Sequence, residues 1–295
     1  MYPGKIIFGL TLYDICLCAG IIACFFIFGT LADKQGVRRR IQSFALICGV
    51  AAVTLGYGSA VLFQALYNIK SLGKFVINEN TGATFYGGLV GGVAVFLALY
   101  FGIGWKMFEK NEHARAFWAI ADSAVPGIAF AHSIGRLGCL FAGCCHGAVC
   151  DAWYCIPMWG NHGYDKYVPT QLFEAIFLML LFGFLFLQSL DKKGYCLPIY
   201  LSVYAVWRFV IEYARADYRG DTFIEALTPS QLIACVLFAV GVGLIFIEKH
   251  LKKRFPFTPV LTEKNAEKKD EENIFHRGAS CVDRGGGVLR SCLCF

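Results

Sequence analysis

Thr170–Leu190 reads TQLFEAIFLMLLFGFLFLQSL, a continuous apolar run in which Glu174 is the one ionisable side chain. A helix of about 20 residues covers the roughly 30 Å of a bilayer's hydrocarbon core. The apolar residues are consecutive rather than alternating, so the run predicts a spanning helix and not a strand of a membrane barrel. Six further blocks of similar length surround it: Tyr13–Leu31, Ile41–Leu66, Thr84–Gly104, Phe117–Phe141, Tyr195–Ala214 and Ser230–Glu248. The composition agrees, with 57% apolar or aromatic residues and only 16% charged. A soluble domain carries about 25% charged residues, and no water-soluble core of this length could hide so much apolar surface. The expected fold is all-α, with seven membrane-spanning helices.

Charge between the blocks predicts the orientation. Lys34, Arg38, Arg39, Arg40, Lys106, Lys110, Arg115, Lys192, Lys193, Lys249, Lys252, Lys253 and Arg254 fall on one side. Lys5, Lys70, Lys74, Lys166, Arg215 and Arg219 fall on the other. Because basic loops stay in the cytoplasm, the amino terminus is expected outside and the carboxyl terminus inside. Lys5 alone is a weak basic region with no small-residue cleavage pattern after it, so the first block is expected to be retained as a helix. Residues 1–250 are expected to form the membrane domain. Residues 251–295 carry the mixed-charge run Glu263–Glu272 and a Gly- and Cys-containing end, and read as a cytoplasmic tail without a fold of its own.

Ionisable groups inside membrane helices cost about 2.5–3.5 kcal/mol each on insertion scales and call for a reason. Arg208 and Glu212, in Tyr204–Arg215 (YAVWRFVIEYAR), are four apart and share a helix face, with Arg215 following. They read as a tethering ion pair or as a pocket for an anion. Gln171 and Glu174 in Pro169–Glu174 (PTQLFE), and Thr228–Gln231 (TPSQ), add polar groups at neighbouring helix ends and favour a shared site. His132–Gly147, HSIGRLGCLFAGCCHG, sets Arg136 among closely spaced glycines. There the planar guanidinium suits a phosphate or phosphodiester, or snorkels to the interface. Gly82–Gly92, GATFYGGLVGG, places Tyr86 before paired glycines of the kind that bring helices close.

Five of the 14 cysteines crowd at Cys139, Cys144, Cys145, Cys150 and Cys155. Their spacing lacks the paired C-x-x-C of ordinary zinc sites, and a metal, a disulfide or free packing thiols all remain open. No nucleotide-binding loop is present, and neither a cofactor nor a resident metal is expected. Nothing suggests nucleic acid; the net charge of +6 is accounted for by the basic loops.

Taken together, these residues resemble the prolipoprotein diacylglyceryl transferase family over about Tyr13–Glu248. Ala121–Gly147 (ADSAVPGIAFAHSIGRLGCLFAGCCHG) looks like its signature around Gly-Arg-x-Gly, and TFYGGLVGG, PTQLFE and YAVWRFVIEYARAD are similar to three further motifs. The resemblance implies transfer of a diacylglyceryl group from phosphatidylglycerol to the lipobox cysteine of a prolipoprotein signal peptide, in the bacterial plasma membrane. It implies that Arg136 holds the lipid phosphate, Arg208 the leaving phosphate, and Glu212 orients Arg208, with Tyr13 lining the pocket. Gln171, Glu174 and Arg215 are expected beside the substrate. The chain departs from the family at Tyr86, where a His is usual, and at Cys139 and Cys144, where Asn and Glu are common. Tyr86 is a poor base near neutral pH because a phenol titrates near 10. His146 and His132 are the replacements, and His146, past the glycine turn, is preferred. Two other readings stay open: a transferase with the same donor and another acceptor, and a non-catalytic lipid-binding protein.

Overall fold

The computed structural model describes residues 9–72, 75, 77, 81, 82, 84–160, 163–215 and 227–259. Lys5, Lys74 and Arg219, and the expected tail beyond residue 259, lie outside the described residues. Among the described residues seven α-helices follow in chain order: α1 (Leu12–Gln35), α2 (Arg39–Leu72), α3 (Phe85–Met107), α4 (Glu112–Ala142), α5 (Thr170–Leu190), α6 (Cys196–Ile211) and α7 (Pro229–Arg254). Each matches one of the seven apolar blocks. Six are long and apolar enough to cross a membrane; α6, at 16 residues, is the exception, and a 3-10 turn, Glu212–Ala214, continues it.

The all-helical expectation needs one correction. Between α4 and α5 lies an antiparallel hairpin, β1 (Ile156–Gly160) and β2 (Gly163–Tyr167), with Ile156 opposite Tyr167 and Gly160 opposite Gly163. Gly163 takes a positive φ of 95°, a conformation that glycine reaches without a side-chain clash. Two short strands among seven apolar blocks carry too little periodicity to stand out, which is why the sequence pattern missed them.

Large apolar side chains face outward all along the bundle. Phe26, Leu180, Phe184, Phe246 and Leu187 are each more than half exposed. In water this surface would drive aggregation; in a bilayer it faces its own solvent. The chain is a multi-pass membrane protein.

α4 is the central helix. It packs along α1 on one side and α5 on the other, and it touches α2, α3, α6 and α7. Lipid tails are as apolar as leucine, so helices in a membrane associate through close packing and polar contacts. Gly127 provides the closest approach to α1: a Cβ built there would lie 2.8 Å from the Cys24 carbonyl oxygen and 3.2 Å from its Sγ. One apolar cluster joins α1–α4 through Phe28, Phe44, Tyr100 and Ala116, and a second joins α4, α5 and α6 through Val125, Leu181, Leu185 and Cys196.

Gly127→Ala is expected to destabilise the protein by about 1–3 kcal/mol, the usual penalty for overfilling a packed contact, seen as a lower melting temperature in detergent. Gly135→Ala, where an added Cβ meets nothing within 4 Å, is expected to leave that temperature unchanged or raise it. Equal shifts for the two would mean that the α1–α4 contact does not depend on glycine.

Candidate functional site between α4, α5 and α6

Glu174 lies in the first turns of α5 with no exposed surface. A carboxylate so buried needs partners, and two helices supply them. Arg136 Nε from α4 lies 3.1 Å from its Oε2, and the Tyr204 hydroxyl from α6 donates to its Oε1 at 2.8 Å. Arg136 uses only Nε in this pair, and its two Nη groups have no hydrogen-bond partner among the described residues. They form a free fork of donors at the edge of a buried charge pair.

One turn further along α6, Arg208 Nη1 pairs with Glu212 Oε2 at 2.8 Å and Nη2 donates to Ser230 Oγ at 3.1 Å. Both side chains are nearly fully buried. The Thr228 hydroxyl donates to Glu212 Oε1 at 3.1 Å while accepting from the Gln231 N–H to cap α7. The four-residue spacing of Arg208 and Glu212 thus forms the expected salt bridge, and the polar opening of α7 completes it.

The two charge pairs are neighbours. His132 Nδ1 lies 3.0 Å from the Tyr200 hydroxyl, and its ring meets Tyr204 edge-on at 5.0 Å. His132 and Tyr204 both lie within electrostatic reach of Arg136, Glu174 and Arg208. Tyr200 was missed by sequence reasoning. Its signal is the four-residue stripe Tyr200, Tyr204, Arg208, Glu212, which puts all four on one helix face.

The loop after α4 folds over this region. Gly143 ends α4 in the left-handed conformation, φ 72°, and the N–H groups of Gly143 and Cys144 return to the carbonyls of Leu140 and Cys139. Such a turn brings the residue after the glycine back over the last helical turn. Cys145 follows with φ 62°, uncommon for a side chain with a Cβ. The start of α5 clasps the loop: Thr170 Oγ1 donates to the Cys145 carbonyl at 2.9 Å and Gln171 Nε2 to that of Cys144 at 2.6 Å. The sulfurs of Cys139, Cys144 and Cys145 come within 4.8 Å of one another. The neighbouring Cys139 and Cys144 thiols hold Cys145 below the usual thiol range, and nearby Arg215 and Arg136 act in the same direction. Cys150 and Cys155 pair as a disulfide that closes the start of the hairpin.

The remaining expected residues divide. Tyr13, in the first turn of α1, packs on Gly138 within reach of Arg136 and the three cysteines. Arg215 bridges to Gly147 through its backbone and lies near Cys145. His146 is buried with its ring on Tyr167, and its Nδ1 lies 3.0 Å from the Gly147 carbonyl. As that carbonyl can only accept, Nδ1 carries the proton and Nε2 the lone pair. Tyr86 opens α3 beside Phe85, and no hydrogen bond among the described residues joins it to either arginine pair.

Known proteins resemble this chain over most of its length. The phosphatidylglycerol–prolipoprotein diacylglyceryl transferase of Dehalococcoides mccartyi is 30% identical over 217 residues, covering 70% of this chain and 78% of that protein. The protein of the same name from Clostridium tetani is 26% identical, over 84% of this chain and 97% of its own length. One from Streptococcus pneumoniae is 27% identical, over 83% and 91%. The family model for prolipoprotein diacylglyceryl transferase matches residues 5–247, a span that takes in α1 to α6, most of α7 and both arginine pairs, and the chain belongs to that family.

Proposed function

We propose that this protein transfers the diacylglyceryl group of phosphatidylglycerol to the lipobox cysteine thiol of prolipoproteins, at a site between α4, α5 and α6 in the bacterial plasma membrane. The observation that carries the reading is the pair of guanidinium groups, each held by a buried carboxylate and both within electrostatic reach of His132 and Tyr204, within an apolar bundle. The thiol sulfur attacks the glyceryl carbon that bears the phosphate, the carbon–oxygen bond breaks, and glycerol phosphate leaves with the electron pair. Arg136 offers its free Nη groups to the lipid phosphate. Arg208, oriented by Glu212, stabilises the charge that builds on the leaving group. Fixed donors in a low-dielectric site are far more effective at this than in water. Gln171, Glu174, Tyr13 and Arg215 line the binding region. Glu174 acts by aiming Arg136.

The nucleophile is the thiolate, so the acceptor's proton must go. His146, with Nε2 as its lone-pair nitrogen, is the base in this reading, while Tyr86 makes no hydrogen bond to either arginine pair among the described residues. The substitution of Tyr86 for the family's usual histidine also favours a second reading, in which the donor is the same and the acceptor is another thiol or hydroxyl.

The bundle has seven spans in this proposal. The 16 residues of α6 rise about 24 Å, and the 3-10 turn adds about 6 Å, enough to cross the hydrocarbon core. With the basic loops inside, the amino terminus lies outside and the carboxyl terminus is cytoplasmic.

Reconstitution with phosphatidylglycerol and a lipobox peptide is expected to give a diacylglyceryl-modified peptide by mass spectrometry. Arg136→Ala and Arg208→Ala are each expected to lower kcat by about 10²–10³, the loss typical when a donor to a developing anion is removed. Phosphatidylglycerol that binds in an Arg136-dependent way without peptide product would favour the second reading. His146→Ala should abolish transfer while Tyr86→Phe keeps it; the reverse pattern would move the base to Tyr86. Reporter fusions should place the termini on opposite faces of the membrane, and a shared face would rule out seven spans.

A further inference from the structure

The cysteine cluster has a geometry that the transfer reaction, as described, does not use. Three sulfurs, from the last turn of α4 and the loop that follows it, converge within 4.8 Å. The convergence is imposed by the backbone. The left-handed turn at Gly143 returns Cys144 over Cys139, the positive φ of Cys145 turns its side chain back, and Thr170 and Gln171 lock both cysteine carbonyls.

We propose that Cys139, Cys144 and Cys145 form a three-thiolate site for a thiophilic divalent cation such as Zn2+, whose fourth coordination position takes the acceptor's thiol; the second half rests on the transferase reading above. Tetrahedral zinc–sulfur bonds of about 2.3 Å set sulfurs about 3.8 Å apart, within the span the cluster already occupies. Three protein ligands with one open position are the pattern of zinc sites that act on a substrate rather than hold a fold together. The complex of a divalent cation with three thiolates carries one negative charge, and Arg136 and Arg215 lie close enough to balance it. Tyr13, within reach of the same three sulfurs, closes the α1 side.

Two features of the chain favour a metal over free thiols. Cys150 and Cys155, in the same loop, are already joined as a disulfide, so this segment matures where thiols oxidise. Three adjacent thiols survive there when they ligate a cation that has no redox chemistry of its own. The second feature concerns the reaction. A thiol that binds the cation's fourth position passes its proton to His146, the base of that reading, as the sulfur–metal bond forms, and it stays deprotonated near neutral pH. The acceptor then arrives as thiolate beside Arg136, with no call on a base at position 86.

Full-length protein, reduced and loaded with Co2+ in detergent, is the probe. The expected result is one Co2+ per chain with thiolate-to-cobalt charge-transfer absorption, displaced by Zn2+ and lost in Cys139→Ser and Cys145→Ser. Cys235→Ser, an exposed cysteine on α7, should leave it unchanged. A lipobox peptide should intensify the band, and its serine analogue should not. X-ray absorption of the zinc-loaded, unsubstituted chain should count three sulfurs and rise to four with the cysteine peptide, which keeps the test valid if a variant misfolds. Absence of the band, a band blind to the peptide, or a disulfide among the three cysteines in non-reducing mass mapping of protein taken from cells would overturn the site. Full transfer by protein with no metal–thiolate signal would overturn it and leave the transferase standing. A band that answers to the peptide without diacylglyceryl product would do the opposite.

Discussion

Glu174 is a charged group with no exposed surface in a molecule whose outer solvent is lipid, and this constraint organises the centre of the structure. Left alone, such a carboxylate would have to be neutralised or expelled. Here it draws Arg136 from α4 and Tyr204 from α6 onto α5. Breaking a buried pair by removing one partner costs about 3–5 kcal/mol because the other charge is stranded. That sum is large where helix association has no hydrophobic driving force behind it. The pair therefore fixes three helices at one depth and, by occupying only Nε of Arg136, leaves the rest of the guanidinium aimed and unspent. Stability and binding capacity come from one contact.

α6 is held at both ends by such contacts. At its start, the Cys196 N–H donates to Asp122 of α4 at 2.9 Å and the Tyr195 N–H to Glu248 of α7 at 2.9 Å. Lys252 joins the two carboxylates at 3.2 and 2.6 Å. Acceptors at a helix amino terminus satisfy N–H groups that have no partner within the helix. At its far end, Arg208, Glu212, Ser230 and Thr228 tie it to α7. A helix pinned twice cannot slide, so the stripe Tyr200–Tyr204–Arg208–Glu212 stays in register with α4. That register is what keeps two arginines adjacent.

The loop after α4 shows how a helix end becomes chemistry. Gly143 satisfies the last carbonyls of α4, an ordinary need of any helix, and the same turn gathers three cysteines. α5 supplies both the carboxylate that aims Arg136 and the side chains that hold the turn, so the Arg136 fork and the thiol cluster rest on the same few residues, Thr170 to Glu174.

Hydropathy alone determined the membrane class and where the apolar helices fall, six of them long enough to cross a bilayer, because the length of an apolar run is set by bilayer thickness and needs no knowledge of neighbours. Intrahelical spacing determined the Arg208–Glu212 pair, since four residues is about one turn. What crosses between helices was not legible. No periodicity joins Arg136 to Glu174, 38 positions apart in the chain, and Tyr200 read as one more aromatic in an apolar block. The thiol cluster was hidden for a related reason. Its spacing matches no ordinary metal motif, and only the left-handed turns at Gly143 and Cys145 bring the sulfurs together. The hairpin, too short for its pattern to show, became visible only once Ile156–Gly160 paired with Gly163–Tyr167. Sequence fixes which groups the membrane would reject if they stood alone; packing decides which partner each of them finds.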